Sequence, residues 1–325
     1  MASITHELNG IVPHGTVPSR IDSWISLQYE SFPRSAASDS RTVFTIDGKV
    51  VKKSKMVKGG NTIRVTWVED VFDHIVGQDI PLQILYEDSH LLVIDKPQSL
   101  VVHPGAGNPD NTVVNALVYR YGDNFFSTTH ASEDDVEEDD PVGTAQPLRP
   151  GIVHRLDKDT SGVMVIALDR GSHTHVASQF KERTTEKYYI AIVCGYVPKR
   201  RGHIETTIVR DPRDRKKFCV GKEQEGKVAK TDYLVLRQFH NFALVRLRLL
   251  TGRTHQLRVH LKHIGGPILG DPVYGKPNAL FPDSSMMLHA LCLEIEHPVT
   301  AERMRFTAPM PDRFKVILRS LLQKH

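Results

Sequence analysis

The chain lacks most of what would mark it for redox, nucleotide-hydrolysis or membrane work. Cysteine is scarce: Cys194, Cys219 and Cys292 are the three among 325 residues, and they lie far apart with no pair at metal-ligand spacing. That usage fits a reduced, cytoplasmic protein better than a disulfide framework. No stretch approaches the roughly 18 consecutive apolar residues of a membrane-spanning helix. The opening Met1-Ala2-Ser3-Ile4-Thr5-His6-Glu7 has neither the basic start nor the apolar run of a secretion signal. There is no glycine fingerprint of a dinucleotide site after a strand, no Walker sequence and no His-Glu-x-x-His, so hydride transfer, nucleotide hydrolysis and zinc-hydrolase chemistry find no support. No cofactor and no metal are expected.

What is present is ordinary in bulk and uneven in detail. Hydrophobic residues make 40% of the chain and charged residues 25%, as in a soluble globule with one large domain and a smaller one. The net charge is +4, but seven acids (Glu133, Asp134, Asp135, Glu137, Glu138, Asp139 and Asp140) crowd one short run, and without them the chain carries +11. A block of like charge belongs on a solvated loop, so a loop is expected over about 122–147, turned away from any polyanion. The basic remainder suits phosphates.

The densest chemistry lies at Arg149-Pro-Gly-Ile-Val-His154-Arg155-Leu156-Asp157-Lys158-Asp159-Thr160-Ser161-Gly162, between two apolar runs. Charges packed that close to a core must be paired or hydrated. Asp, Thr, Ser and Gly are turn formers, so a plain turn accounts for part of it. Asp157-x-Asp159-x-Ser161-Gly162 also copies the first half of an EF-hand loop, but position 12, where calcium needs a bidentate Glu, is Leu168. The third reading is catalytic, with Asp157 as a nucleophile or base held between cations.

In order, the chain alternates strand patterns with short helical ones. Residues 1–17 carry Gly10, Pro13 and Gly15 and little periodicity, and are expected as a flexible tail. A small module follows over 18–70: a helix with Ile21, Trp24 and Ile25, a hairpin over 43–51 turned at Asp47-Gly48, and a strand over 62–67. Residues 71–80 are expected as a linker and 81–325 as the large domain. There, strands are expected over 84–86, 91–94, 163–168, 187–195, 204–209, 230–239, 242–250, 287–295 and 303–307. Helices are expected after Thr112, after a capping Ser172, over 253–264 and over 311–322. Residues 210–230 hold eight cations against four acids and read as an exposed basic hairpin. This order gives an α+β fold.

His154-Arg-Leu-Asp-Lys-Asp-Thr-Ser-Gly162 resembles the signature of the RluA family of RNA pseudouridine synthases. The likeness runs in collinear order over about 80–310, through Ile84-Leu-Tyr-Glu-Asp, Lys96-Pro97, Val102-His103-Pro104-Gly105, Gly252-Arg-Thr-His-Gln-Leu-Arg258, Leu269-Gly-Asp-Pro-Val-Tyr-Gly275, Leu288-His289-Ala290 and His297-Pro298. It implies a mixed, mostly antiparallel catalytic sheet, and isomerisation of uridine in RNA with neither oxidant nor water consumed. The module over 18–70 resembles the S4 RNA-binding domain through Arg20-Ile21-Asp22, Asp47-Gly-Lys-Val-Val51 and Val57-Lys-Gly-Gly-Asn-Thr-Ile-Arg-Val65.

The resemblance assigns roles. Asp157 is the catalytic carboxylate, and whether it attacks the sugar, attacks the base or removes the 2′ proton stays open. Asp159 braces the turn. Arg258 is the cation that keeps Asp157 ionised. Tyr189 is the aromatic face for a flipped uracil and a route for the C5 proton. Its neighbour Tyr188 competes for that place, since adjacent strand residues face opposite sides. Arg155 aids base flipping, Leu288 and Leu257 line the pocket, and His154 orients. RNA contacts are expected from Lys49, Lys52, Lys53 and Lys55 in the small module and from Arg215, Lys216 and Lys217 in the basic hairpin. The partner expected is large-subunit ribosomal RNA or a pre-ribosomal particle, with transfer RNA open, bound by a monomer. A non-catalytic RNA-binding protein on the same scaffold is the alternative. Three histidines, His255, His260 and His263, do not present one clean face for zinc.

Overall fold

A computed structural model describes residues 2–29, 32, 36–71, 75–105, 108–122, 125, 150–214, 217–222 and 225–323. Apart from Gly122 and Phe125, the expected acidic loop lies outside the described residues, as do Arg215 and Lys216. The chain divides into two compact units, one formed by Met1–Ile75 and the other running from Val76 to the C-terminal helix.

The first unit is a four-stranded antiparallel sheet with a short helix. Its strands are β1 (Ala2–Ile11), β3 (Val43–Ile46), β4 (Lys49–Val51) and β6 (Thr62–Val71), in the order β1-β6-β3-β4. The two-residue strands β2 (Ser19–Arg20) and β5 (Met56–Val57) pair apart from it, and α1 spans Ile21–Gln28. Asp47 and Gly48 both take positive φ (48° and 74°), the primed turn that a right-twisted hairpin requires. The flexible tail expected over 1–17 is not found. Residues 2–11 are β1, paired with all ten residues of β6. His6 stacks on Trp67 at 5.2 Å, Glu7 pairs with Arg64, and Leu8 packs on the unit's core. The strand is largely polar and its partner lies some sixty residues on, so local periodicity hides it. The expected linker is also shorter than 71–80. Val71 ends β6, while Gln78 N–H donates to Asn115 O and the Asn115 side chain donates to Val76 O, which ties residues 76–78 to the second unit.

The second unit is built on one large sheet, in the order β12-β11-β13-β14-β10-β15-β9-β8-β7, with β16 also on β15. Its strands are β7 (Gln83–Glu87), β8 (Leu91–Lys96), β9 (Ser161–Ala167), β10 (Glu186–Cys194), β11 (Arg201–Arg210), β12 (Phe218–Val220), β13 (Lys227–Gln238), β14 (Phe242–Leu249), β15 (Leu288–Glu296) and β16 (Arg303–Thr307). The helices are α2 (Val113–Tyr121), α3 (Arg170–Glu182), α4 (Gln256–His263) and α5 (Asp312–Gln323). Every pairing is antiparallel except β9 with β15, so the sheet is mixed and mostly antiparallel. β9 is buried along its whole length because both faces are covered. Met164 and Ile166 enter the larger core with Leu92 and Ile94 of β8, while Val163 and Val165 enter a second core with Val176 of α3 and Phe306 of β16. Thr112 caps α2 with a reciprocal pair to Asn115. The cap of α3 is Asp169 rather than Ser172, which instead donates its N–H to the Asp169 carboxylate.

The parallel junction matters because it positions the turn that precedes β9. It spans two residue pairs, His289 with Ser161 and Ala290 with Gly162. Gly162 has φ 119°, and a Cβ there would sit 2.1 Å from Ala290 O. No side chain fits without parting β9 from β15. Gly162→Ala is therefore expected to cost on the order of 3 kcal/mol, measured by denaturant unfolding. A cost below about 1 kcal/mol would mean the strands part freely there.

Candidate active site

Four separated segments of the second unit meet around Asp157. It follows Leu156, whose side chain is anchored in the larger core, and precedes a turn closed by Thr160 N–H on Asp157 O. Its carboxylate is 27% exposed and faces Arg258, whose Nη1 donates to Asp157 Oδ2 at 3.2 Å. Arg258 comes from α4. That helix starts at Gln256, later than residue 253, because a buried Gln256 pins the preceding turn. Its side-chain amide donates to Lys230 O and Thr231 Oγ1, while its Oε1 accepts from Thr251 Oγ1 and Arg253 N–H.

Arg258 is itself buried and held in a fork. Nε and Nη2 donate to the two oxygens of Asp271 at 2.8 and 2.9 Å, and the ring of Tyr274 lies 5.0 Å from the guanidinium carbon. Asp271 also accepts the N–H groups of Val273 and Tyr274. Burial works against the guanidinium charge, but Asp271 and then Asp157 outweigh it and push Arg258 further up from its already high value. Two carboxylates thus share one permanent cation.

Tyr189 of β10 is a second aromatic residue near this pair, besides Tyr274. Burial first, and the Asp157 charge second, raise its phenol, which stays protonated. Tyr188 is engaged elsewhere. Its hydroxyl donates to Glu186 at 2.6 Å, and Arg246 lies over its ring. Leu257 and Leu288 are buried in the larger core with Leu156 and Tyr189. Arg155 is exposed, and its charge acts on His255 near Asp157.

His154 is not part of the group. Its ring stacks on Phe180 at 4.5 Å and its Nε2 accepts Val165 N–H. Burial, then Lys187, depress it to about 3, so it is a neutral acceptor that braces β9. The lysines Lys49, Lys52, Lys53 and Lys55 are all exposed on the hairpin and turn of the first unit. Lys217 pairs with Asp214 at 3.2 Å in the second.

Four residues around Asp157 received no catalytic role from the sequence although they lie inside its motif blocks. Asp271 and Tyr274 belong to Leu269-Gly-Asp-Pro-Val-Tyr-Gly275, and His255 precedes Gln256. Lys96 is the other: fully buried, it donates to Pro97 O, Leu100 O and Lys158 O under the Asp157 turn. Burial pushes its ammonium down to about 7, while Asp157 and Asp159 oppose that. Three carbonyl acceptors match the three donors of the charged form. Among the described residues no group of three or more His, Cys, Asp or Glu is arranged to hold a metal. His260, one of the three clustered histidines, is instead bonded to Thr206 and Thr231.

The sequence profile described as RNA pseudouridylate synthase matches residues 90–263, more than half of the chain. The chain belongs to the RNA pseudouridylate synthase family. Over 325 aligned residues it is 38% identical to "Ribosomal large subunit pseudouridine synthase D" of Xanthomonas campestris, covering 96% of this chain and 91% of that one. It is 36% identical to "RNA pseudouridine synthase 2, chloroplastic" of Oryza sativa, covering 97% and 82%. Among solved structures, "Human RNA Pseudouridylate Synthase Domain Containing 4" is similar with a TM-score of 0.55 and 28% identity, covering 74% of this chain and 92% of that one. The RluA likeness drawn from the motifs therefore stands, and with it an isomerase acting on RNA uridine. In this pseudouridine synthase no helix among the described residues is long and apolar enough to cross a membrane.

Proposed function

We propose that this enzyme converts specific uridines of large-subunit ribosomal RNA to pseudouridine, with Asp157 as the reacting carboxylate. The observation that carries the reading is the meeting of Asp157, Arg258 and Tyr189, residues drawn from three separate segments of the chain, at one partly open carboxylate. The N1–C1′ bond of uridine breaks, the uracil turns, C5 bonds to C1′ and the C5 proton is lost as N1 gains one. Positive character at C1′ during bond breaking is what a nearby carboxylate stabilises or captures. Arg258 donates to one oxygen of that carboxylate and holds it in place. Tyr189 offers a ring to the flipped base and takes the C5 proton directly or through water. Leu257 and Leu288 supply the apolar wall, and exposed Arg155 fills the stack the base leaves.

The first unit acts as an S4-like RNA-binding module through Lys49, Lys52, Lys53 and Lys55, and the basic hairpin adds Arg215, Lys216 and Lys217. The name of the Xanthomonas relative favours ribosomal RNA over transfer RNA. The three cysteines, all free, agree with a reducing, cytoplasmic compartment. The enzyme acts as a monomer in this reading.

The test is tritium release from RNA carrying [5-³H]uridine, supplied as ribosomal RNA, as a pre-ribosomal large-subunit particle and as transfer RNA. Release from ribosomal RNA or its particle is expected. Release from transfer RNA alone would replace the substrate, and binding without release on all three would leave a non-catalytic RNA-binding protein.

A further inference from the structure

His255 sits at the N-terminal cap of α4 in the left-handed region, with φ 57° and ψ 15°. Its Nε2 lies 3.9 Å from Asp157 Oδ2, the oxygen that also accepts from Arg258. Its Nδ1 lies 2.8 Å from the Tyr274 hydroxyl. That hydroxyl already accepts the backbone N–H of Phe218, the first residue of β12 in the basic hairpin, at 2.8 Å. With one lone pair committed to Phe218, the phenol proton is free to go to His255 Nδ1, and Nδ1 then acts as acceptor. In that arrangement the imidazole proton resides on Nε2, the nitrogen that faces Asp157. Tyr274 remains a phenol, since burial raises it to about 12. The ring of Phe218 closes the other side of His255 edge-on, at 5.7 Å.

We infer that His255 is a positioning residue for Asp157: its Nε2–H is aimed at the carboxylate, and Tyr274, anchored on the backbone of the basic hairpin, fixes the tautomer that allows it. This rests on the reading of Asp157 as the reacting carboxylate. A gap of 3.9 Å is too long for a hydrogen bond in the free enzyme. Such contacts commonly tighten once substrate is seated, and less than 1 Å of closure makes this one. The carboxylate would then be oriented by two donors on one oxygen, leaving Oδ1 to the sugar or base. Arg258 supplies charge and His255 supplies direction.

Two isosteres separate this role from a purely structural one. The amide nitrogen of Gln overlays Nε2 of His, and that of Asn overlays Nδ1. His255→Gln retains a donor toward Asp157, whereas His255→Asn reaches Tyr274 and stops short of the carboxylate. Backbone preference runs the opposite way, because Asn tolerates the left-handed conformation far better than Gln. Positioning therefore ranks Gln above Asn in rate, while Asn is the more stable protein. The measurement is single-turnover tritium release at saturating enzyme, with RNA affinity and thermal midpoint taken on the same preparations. His255→Gln is expected to react about tenfold faster than His255→Asn, the worth of one hydrogen bond to a charged group, at equal RNA affinity.

Tyr274→Phe adds an independent arm. Without the hydroxyl, Nδ1 is open to protonation. Burial is the main influence against protonation of the imidazole; of the charges facing it, Asp157 and Asp271 favour protonation, and Arg258 and Arg155 oppose it. An imidazolium would clamp Asp157 as an ion pair, so Tyr274→Phe is expected to lose rate on the acid side at a higher pH than the wild type. Equal rates for Gln and Asn, or a faster Asn variant, overturn the inference, as does an unmoved acid limb in Tyr274→Phe. Asp157→Asn runs as the control. If it reacts like wild type, the reading of Asp157 fails and the inference with it. If it is inactive and the two isosteres are equal, the inference alone fails.

Discussion

Asp157→Asn is expected to lower single-turnover isomerisation by on the order of 10⁴-fold or more, the scale seen when a reacting group is removed. Stability and RNA affinity should stay close to wild type. The amide keeps the shape of the carboxylate and loses its charge, which is the property that answers positive character at C1′. Little stability should follow the charge, for two reasons visible in the site. The Asp157 side chain is 27% exposed, so water already screens it, and Arg258 keeps Asp271 as a bidentate partner when Asp157 is neutral. An exposed or half-exposed ion pair contributes about 1 kcal/mol or less. Tritium release, RNA binding and urea unfolding on the same variant check the three parts. A variant that releases tritium within tenfold of wild type would remove Asp157 from the reaction. A variant that is inactive because it unfolds would show the pair to be structural.

The sequence and the fold agree best where local pattern carries the signal. β8, β9 and β10 each contain an apolar run, and the Asp47-Gly48 hairpin and the Thr112 cap rest on residues with one favoured geometry. Asp157, Arg258 and Tyr189 were legible through motif resemblance, and their meeting is a matter of tertiary structure that spacing alone does not give. Residues escaped when their meaning lay in a distant partner. β1 is polar and becomes a strand because β6 is there to pair it. His154, one residue from Arg155, reads as a site residue in the linear motif, yet its ring turns to Phe180. Asp271 looks like a turn former between Gly270 and Pro272 until Arg258 is placed against it. Lys96 shows the same effect in reverse: a lysine before a proline reads as surface, and the carbonyls of Pro97, Leu100 and Lys158 are what let it be buried.

Asp271→Asn should behave as the mirror image of Asp157→Asn, although both remove one carboxylate from the same guanidinium. The Asp271 side chain has no exposure and Arg258 has 5%, so neither charge can turn to water when the other is lost. Breaking a buried pair by removing one partner typically costs about 3–5 kcal/mol, because an uncompensated charge remains inside. In a protein of this size that is a fall of roughly 4–7 °C in thermal midpoint. Asp157 would then be the one full charge left to Arg258, and the guanidinium should swing toward it. A carboxylate bound more tightly by its cation is less reactive, so isomerisation should slow even at temperatures where the variant is folded. A double-mutant cycle distinguishes a lost pair from general damage. Arg258→Met alone strands Asp271 and should be comparably unstable. Combined with Asp271→Asn it removes both charges, and the double variant should be more stable than the sum of the two single losses by at least about 1 kcal/mol. Additive losses would show that each residue supports the fold through its own contacts, the N–H groups of Val273 and Tyr274 in one case and the Tyr274 ring in the other. Coupled losses would show that the enzyme keeps a buried ion pair whose function is to hold one cation 3.2 Å from a carboxylate that water and substrate can reach.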